Sequence, residues 1–285
     1  MYRLLALDMD GTLLNRSKII TPAVCDALQA AIREGVNVTI ASGRFPASVW
    51  LHARHVGMNG CLIAFNGAAI LDAEFGKRVH GFPIPPDAAR RIAELAAEAG
   101  AYVHFYGYRT LFVERMNEMN ASWPLANVVI DPDKPLTYEN YREQADRIQV
   151  KQVGRLAAFA EEASEPLYKA TIISEDPELL VRLYDELRSW NELALTKTGQ
   201  RRFDINAAGV SKRTALETLC RMYGMHAAEV VAIGDYDNDV DMLQWAGLGI
   251  AMANSSDCVK RAADTVTASN EEDGVAEAVR RYLLS

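Results

Sequence analysis

Near the N-terminus the run DMDGTLL sets Asp8 and Asp10 two residues apart, at the end of the apolar stretch RLLALD. Carboxylates at the C-terminal end of a strand lie where open α/β sheets bind ligands. Such a pair repels itself unless a cation or a shared proton relieves it. A hard divalent ion such as Mg²⁺ takes oxygen ligands and keeps positions for water and a substrate phosphate. Gly11 permits a tight turn directly after the pair. Taken alone, Asp-Gly is also a common turn dipeptide, with the carboxylates as loop caps.

Three other segments carry complementary chemistry. In IASGR, Ser42 and Gly43 follow an apolar run and offer a hydroxyl and backbone N–H groups suited to phosphate, although a Ser-Gly pair after a strand is an ordinary turn. In GVSKRTALETLCRMYG, Ser211 reads as an N-cap and Ala215, Leu216, Leu219, Cys220 and Tyr223 form an apolar stripe. Lys212 and Arg213 then open the helix, where the macrodipole disfavours each cation by about 0.3–1 kcal/mol. A bound anion reverses that preference. In GDYDNDVDML, Asp235, Asp237, Asp239 and Asp241 crowd one strand end, and so many like charges call for cations. A calcium loop is excluded, because Val240 stands where that loop requires Gly and Ala246 where it requires Glu. Asp237 or Asp239 is expected to N-cap the following helix, which leaves Asp235 at the strand end unexplained by capping.

The elements that must hold these residues follow from periodicity. RLLALD, VNVTIAS and CLIAFN read as strands covered on both faces. Between the first two lies a helix with Thr21 as N-cap, Pro22 at its first position, Gly35 after its end, and Val24, Leu28, Ala31 and Ile32 on one face. The grammar returns in EVVAIGD, LGIAMAN and DTVTAS, separated by DNDVDMLQWAG and SSDCVKRAAD and closed by EDGVAEAVRRYLL. Alternation of this kind predicts a doubly wound α/β core with a parallel sheet, built from residues 1–84 and 207–285. Residues 85–206 differ: amphipathic PPDAARRIAELAAEAG and DPELLVRLYDELRSW alternate with the polar strands AYVHFYG and YKATIIS, as in an inserted α+β domain. Within it, the prolines of SWPLANVVIDPDKPLTY argue against regular structure.

A formal charge of −8 gives no basic stripe, so no nucleic acid or acidic membrane surface is expected as a partner. Cys25, Cys61, Cys220 and Cys258 lie far apart and read as buried thiols of a reducing cytoplasm. MYRLLALDMD is too short for a signal peptide, and no apolar run approaches the ~20 residues of a membrane span. The expectation is a soluble cytoplasmic chain with a small anionic substrate, monomer or homodimer being left open.

In this order DMDGTLL, ASGR, the Lys212 segment and GDYDND resemble the motifs of the haloacid dehalogenase superfamily, and within it the Cof-like phosphatases that carry an α/β cap. FNGAAI, GIAMAN and EEDGVAEAV extend the resemblance over essentially the whole chain. It implies a Mg²⁺-dependent phosphatase in which Asp8 attacks phosphorus to form an aspartyl-phosphate, while Asp10 protonates the leaving oxygen and then activates water. It further implies Mg²⁺ on the Asp8 carboxylate, the Asp10 main-chain carbonyl and the Asp235 carboxylate, with Asp239 in support. Phosphate would meet Met9, Ser42, Gly43, Lys212 and Asn238, and the leaving group Arg44 and Asn66, with residues 85–206 as the cap. Arg213 and Ser255 depart from the usual Gly and Ala. A phosphomutase of the same fold, a receiver-like phosphoacceptor module and a relative without catalysis are the competing readings; the last has no use for both Asp8 and Asp10.

Overall fold

The computed structural model of the chain describes residues 2–131 and 137–284. Its first strand, β1 (Leu4–Leu7), is the apolar run LLAL with all four side chains buried, as a strand covered on both faces requires. Next come α1 (Pro22–Arg33), β2 (Asn37–Ile40), α2 (Pro46–Val56), β3 (Leu62–Ala64), β4 (Ala69–Leu71) and β5 (Arg78–Gly81). Thr21 caps α1 by accepting the Val24 N–H at 3.3 Å, and Val24, Ala27, Leu28 and Ala31 form its buried stripe. Ile32, expected on that face, is half-buried. The third expected strand departs from the parallel plan. β3 meets the parallel strands through an Ala41–Ile63 bridge and pairs antiparallel with β4, in a small sheet of order β3-β4-β5.

The middle of the chain runs α3 (Pro86–Glu98), β6 (Tyr102–Tyr106), β7 (Thr110–Val113), α4 (Glu118–Ser122), α5 (Tyr138–Ala145), β8 (Gln149–Gln152), α6 (Leu156–Glu162), β9 (Lys169–Ile173), α7 (Pro177–Arg188), β10 (Leu193–Gly199) and β11 (Arg202–Ala207). A six-stranded sheet of order β10-β11-β9-β6-β7-β8 results, antiparallel except for the β7–β8 pair. Side chains alternate across it. Val103, Phe105, Ala170, Ile172, Phe203 and Ile205 join a core with α3, α6 and α7. The intervening residues put polar groups on the other face: His104, Tyr106, Lys169, Thr171 and Asp204, all buried. There Lys169 Nζ donates to Asp204 at 2.9 Å and Thr171 Oγ1 donates to the same carboxylate at 2.7 Å. Of the proline-bearing stretch, Trp123–Asn127 forms a short 3₁₀ turn, while residues 132–136 lie outside the described residues.

The chain then adds α8 (Lys212–Tyr223), β12 (Val230–Gly234), α9 (Val240–Trp245), β13 (Leu248–Ala251), α10 (Asp257–Ala262), β14 (Thr265–Val266) and α11 (Gly274–Tyr282). Five strands, β14-β13-β12-β1-β2, make a parallel sheet. From the adjacent strands β1 and β12 the chain winds outward in opposite directions, β1 to β2 on one side and β12 to β13 and β14 on the other, so the C-terminal ends of β1 and β12 form the switch point at which such sheets hold ligands.

Two compact units emerge, one of Met1–His80, Val128–Gln144 and Ser211–Ser285, the other of Gly81–Asn127 and Ala145–Val210. The stretch around α5 is therefore grouped with the parallel-sheet unit. Among the described residues no helix is long and apolar enough to cross a membrane.

Candidate active site

Asp8 follows the last residue of β1, and its N–H donates to Ile233 O on β12 at 3.0 Å. Asp235 follows the last residue of β12, so the parallel pairing of the two strands brings both carboxylates to one sheet edge. α8 aims a cation at them. Its N-cap Ser211 accepts the Thr214 N–H at 3.3 Å, and its own N–H donates to Thr214 Oγ1 at 3.0 Å. Lys212, the first residue of the helix, is 1% exposed. Its ammonium donates to Asp8 Oδ1 at 2.5 Å and to Asp239 Oδ1 at 2.6 Å. The anion that its place in the first turn calls for is thus a pair of carboxylates.

Asp239 does not take the expected N-cap role, and neither does Asp237. The residue before α9 makes no side-chain cap; instead Asp239 Oδ2 turns back and accepts the N–H groups of Asp235 and Tyr236, each at 3.0 Å. With Lys212 on its other oxygen, Asp239 orients Lys212 and the Asp235 loop together. Thr12, which the sequence reading passed over, donates its hydroxyl to Asp235 Oδ1 at 2.8 Å. Gly11 has φ +86°, and a Cβ there would run into the Asp235 carboxylate. Glycine is required on both counts.

Asp8, Asp235 and Asp239 each offer an oxygen within 4.8 Å of the other two. Burial pushes Asp8 well up, and the Asp239 and Asp235 charges add to it against the pull of Lys212. Burial, then Asp239, raises Asp235 to about 6 although Thr12 opposes them. Burial works against the Lys212 ammonium, but Asp239 and Asp8 outweigh it and hold the group charged above its usual range. Three carboxyls around one ammonium leave excess negative charge in a buried all-oxygen donor set, which a hard divalent cation fits.

Asp10 is set apart from this cluster. Its side chain is 44% exposed and is gripped by Arg44, whose Nε donates to Oδ2 and Nη2 to Oδ1, each at 2.7 Å. Lys18 Nζ adds a contact to Oδ1 at 2.5 Å. Burial alone would raise this carboxyl, but the Arg44 fork and Lys18 hold it well below the usual carboxylate range. Arg44, expected at the substrate's leaving group, is turned onto Asp10. Lys18 is a residue no motif singled out.

Ser42 is buried, donates its N–H to Ile63 O at 3.0 Å, and accepts the Arg44 N–H on Oγ at 3.3 Å. Asn66 sits against it, with φ +60° and its N–H on Ser42 O at 2.9 Å; asparagine tolerates that left-handed conformation. A Cβ at Gly43 would approach Asn66 Oδ1 to 2.6 Å, so a larger residue there would have to displace the Asn66 side chain. Met9 buries its side chain in the core, and its carbonyl takes the N–H groups of Thr12 and Leu14. Asn238 lies half-buried in the Asp237–Asp239 turn.

The loop after Asp10 is fastened from the far end of the sequence. Asn254 Nδ2 donates to Gly11 O at 2.8 Å, and Asn254 Oδ1 accepts the Asn270 N–H at 3.0 Å. Asn270 Nδ2 donates to Leu14 O at 2.9 Å, and the Arg16 N–H donates to Glu271 at 2.7 Å. Asn254 belongs to the GIAMAN segment, a signal the sequence carries without saying what it binds.

The profile of the haloacid dehalogenase-like hydrolases matches residues 5–279. A 5-amino-6-(5-phospho-D-ribitylamino)uracil phosphatase of Bacillus subtilis is 30% identical over 283 residues, covering 98% of this chain and 97% of its own. A pyridoxal phosphate phosphatase of Escherichia coli is 26% identical, with 99% of each chain covered. Among solved structures, a haloacid dehalogenase-like hydrolase from B. subtilis superposes with a TM-score of 0.84 at 26% identity, covering 99% of this chain and 100% of its own. With the motifs, the parallel sheet and full-length relatives in agreement, the chain belongs to the haloacid dehalogenase-like hydrolase family, in its phosphatase branch.

Proposed function

We propose that the chain is a Mg²⁺-dependent phosphatase that hydrolyses a small phosphorylated metabolite through an aspartyl-phosphate on Asp8. The observation that carries this reading is the buried Lys212 ammonium, joined to Asp8 and Asp239 beside Asp235. A fixed cation beside a buried carboxylate nucleophile suits the transfer of a phosphoryl group, whose charge it meets without reorganising.

Asp8, Asp235 and the main-chain carbonyl of Asp10 would hold Mg²⁺, with Asp239 keeping Lys212 and the Asp235 loop in place. When bound, the ion neutralises charge on the phosphoryl oxygens. In the first half-reaction an Asp8 oxygen bonds to phosphorus, the bond to the leaving oxygen breaks, and Asp10 gives that oxygen a proton. In the second, water bonds to phosphorus and passes a proton to Asp10, and the bond to Asp8 breaks, releasing phosphate. Arg44 and Lys18 hold Asp10 ionised, the state that the second, proton-accepting half needs; for the first half Asp10 has to take up a proton from solvent as the substrate binds.

The Ser42 hydroxyl, the N–H groups of Met9 and Gly43, the Lys212 ammonium and the Asn238 amide are assigned to phosphate oxygens, and Asn66 to the rim. The unit of Gly81–Asn127 and Ala145–Val210 is assigned as the cap, in the role of excluding water from the phosphoenzyme. The relatives named for a phosphoribitylamino-uracil and for pyridoxal phosphate support a small phosphate monoester as substrate.

Phosphate release from a panel of phosphorylated metabolites tests this. Wild type is expected to turn over with Mg²⁺ and to stop with EDTA, and Asp8→Asn to lose about 10³-fold or more in kcat. Undiminished turnover in Asp8→Asn overturns the nucleophile, and transfer of phosphoryl to a second metabolite instead of water moves the chain to the mutases.

A further inference from the structure

We propose that Arg44 is a positioning residue whose guanidinium fork sets the plane of the Asp10 carboxyl for proton transfer. This rests on the reading of Asp10 as acid and base. The two contacts, Nε to Oδ2 and Nη2 to Oδ1 at 2.7 Å each, constrain a carboxyl in a way that one contact does not. A planar fork fixes direction as well as distance, whereas an ammonium is a point charge.

The fork is anchored and its target is not. Asp10 has a 44% exposed side chain, while Arg44 is 13% exposed. Arg44 Nη1 donates to Ser48 Oγ at 3.3 Å, its N–H reaches Ser42 Oγ at 3.3 Å, and its carbonyl accepts the Phe65 N–H at 3.1 Å. Ser48 is buried on α2, and its carbonyl meets His52 Nδ1 one turn on at 2.7 Å. Burial and the nearby Arg44 charge push His52 down to about 3, so the imidazole under the fork is neutral and does not compete for Asp10. Lys18, by contrast, is half-exposed, on a turn at φ +60°. It adds charge to Oδ1 but no plane. A catalytic group displaced by about 1 Å loses on the order of 10²-fold in rate, so an exposed acid needs such a buttress.

The experiment measures kcat/KM with Mg²⁺ over phosphate esters from 2,4-dinitrophenyl phosphate, whose leaving group departs without a proton, to phenyl and alkyl phosphates, which need one. Wild type is compared with Asp10→Asn, Arg44→Lys and Arg44→Ala. Arg44→Lys is expected to keep its 2,4-dinitrophenyl phosphate rate within a few-fold and to lose about 10²-fold on phenyl and alkyl phosphates, the pattern of a displaced acid. Added guanidinium is expected to restore part of the loss in Arg44→Ala. A uniform loss across the series, or none, overturns the proposal, because a contact to substrate or a failure of folding has no leaving-group dependence. If Asp10→Asn shows the leaving-group dependence and Arg44→Lys does not, only the positioning role falls. If Asp10→Asn lacks it too, the acid–base assignment falls first and takes this proposal with it. Should Arg44→Ala fail to fold, Arg44→Lys decides.

Discussion

Asp235 lies half-buried beside the buried Asp8 and Asp239, and its carboxyl is raised to about 6 by burial and by Asp239. Below that pH the metal-free site holds a proton there, which an arriving cation has to displace. The Asp8 carboxyl, also raised by burial, competes in the same sense, so Mg²⁺ affinity, measured by calorimetry from pH 5 to 8, is expected to fall as pH falls, by about tenfold per unit or more below 6. A profile level throughout would remove Asp235 from the ligand set. At this scale much was legible. Asp8, Lys212 and Asp235 each stand at a strand end or a helix start, where a lone charged residue asks for a partner. Thr12 and Lys18 were not, because what they do depends on contacts to Asp235 and Asp10 made by the folded loop. In the sequence Asp237 and Asp239 are equally good caps, because cap and turn-back differ only in which N–H groups the carboxylate faces.

Helix α8 is where local sequence and chemistry meet. Its Ser211 cap fixes the start of the helix and with it the root of the Lys212 side chain. Ser256 caps α10 in the same way, accepting the Val259 N–H at 3.4 Å, but α10 carries none of the site residues. Ser211→Ala and Ser256→Ala are each expected to lower stability by about 1 kcal/mol, whereas only Ser211→Ala is expected to lower kcat/KM, by roughly tenfold. Denaturant melts and initial rates on the pair check this, and equal rates would show that Lys212 is held by its ion pairs alone. The helices announced themselves through caps: Thr21, Ser211 and Gly35 mark ends the structure keeps. β3 was harder, since Leu62, Ile63 and Ala64 are apolar enough for either sheet, and the hairpin with Ala69–Leu71 draws them off the parallel one.

Across the whole molecule, acid stability brings the two units to the same test. His104 is fully buried in the antiparallel-sheet unit, its Nε2 2.9 Å from the Tyr106 hydroxyl. Burial, then Lys169 and Arg202, keep it well below the usual histidine range, and His52 in the other unit is held down at about 3. A folded-state value below the unfolded one means stability is intact above about pH 6.5 and is lost as pH falls, by about 1.4 kcal/mol per unit for each histidine. For His104→Phe, the stability gap to wild type is expected to shrink by that amount per unit between pH 6 and 4.5 in urea melts; a gap constant with pH would mean that folded His104 takes up a proton. The division into a parallel-sheet core and an inserted α+β region was legible from the change of pattern near residue 85, because strand and helix periods differ. The grouping of Val128–Gln144 with the first unit was not, since no local pattern says which neighbours a proline-bearing stretch will find. The strand order has a further consequence for how the protein is made. β1 lies between β2 and β12, so Leu7 pairs with Ile40 soon after both leave the ribosome but waits for Ile233 on its other side. At about 5–20 residues per second that wait is on the order of 10–50 s. Until then the growing chain carries Asp8, the proposed nucleophile, on an uncovered apolar edge, and the site cannot form before β12 has been made.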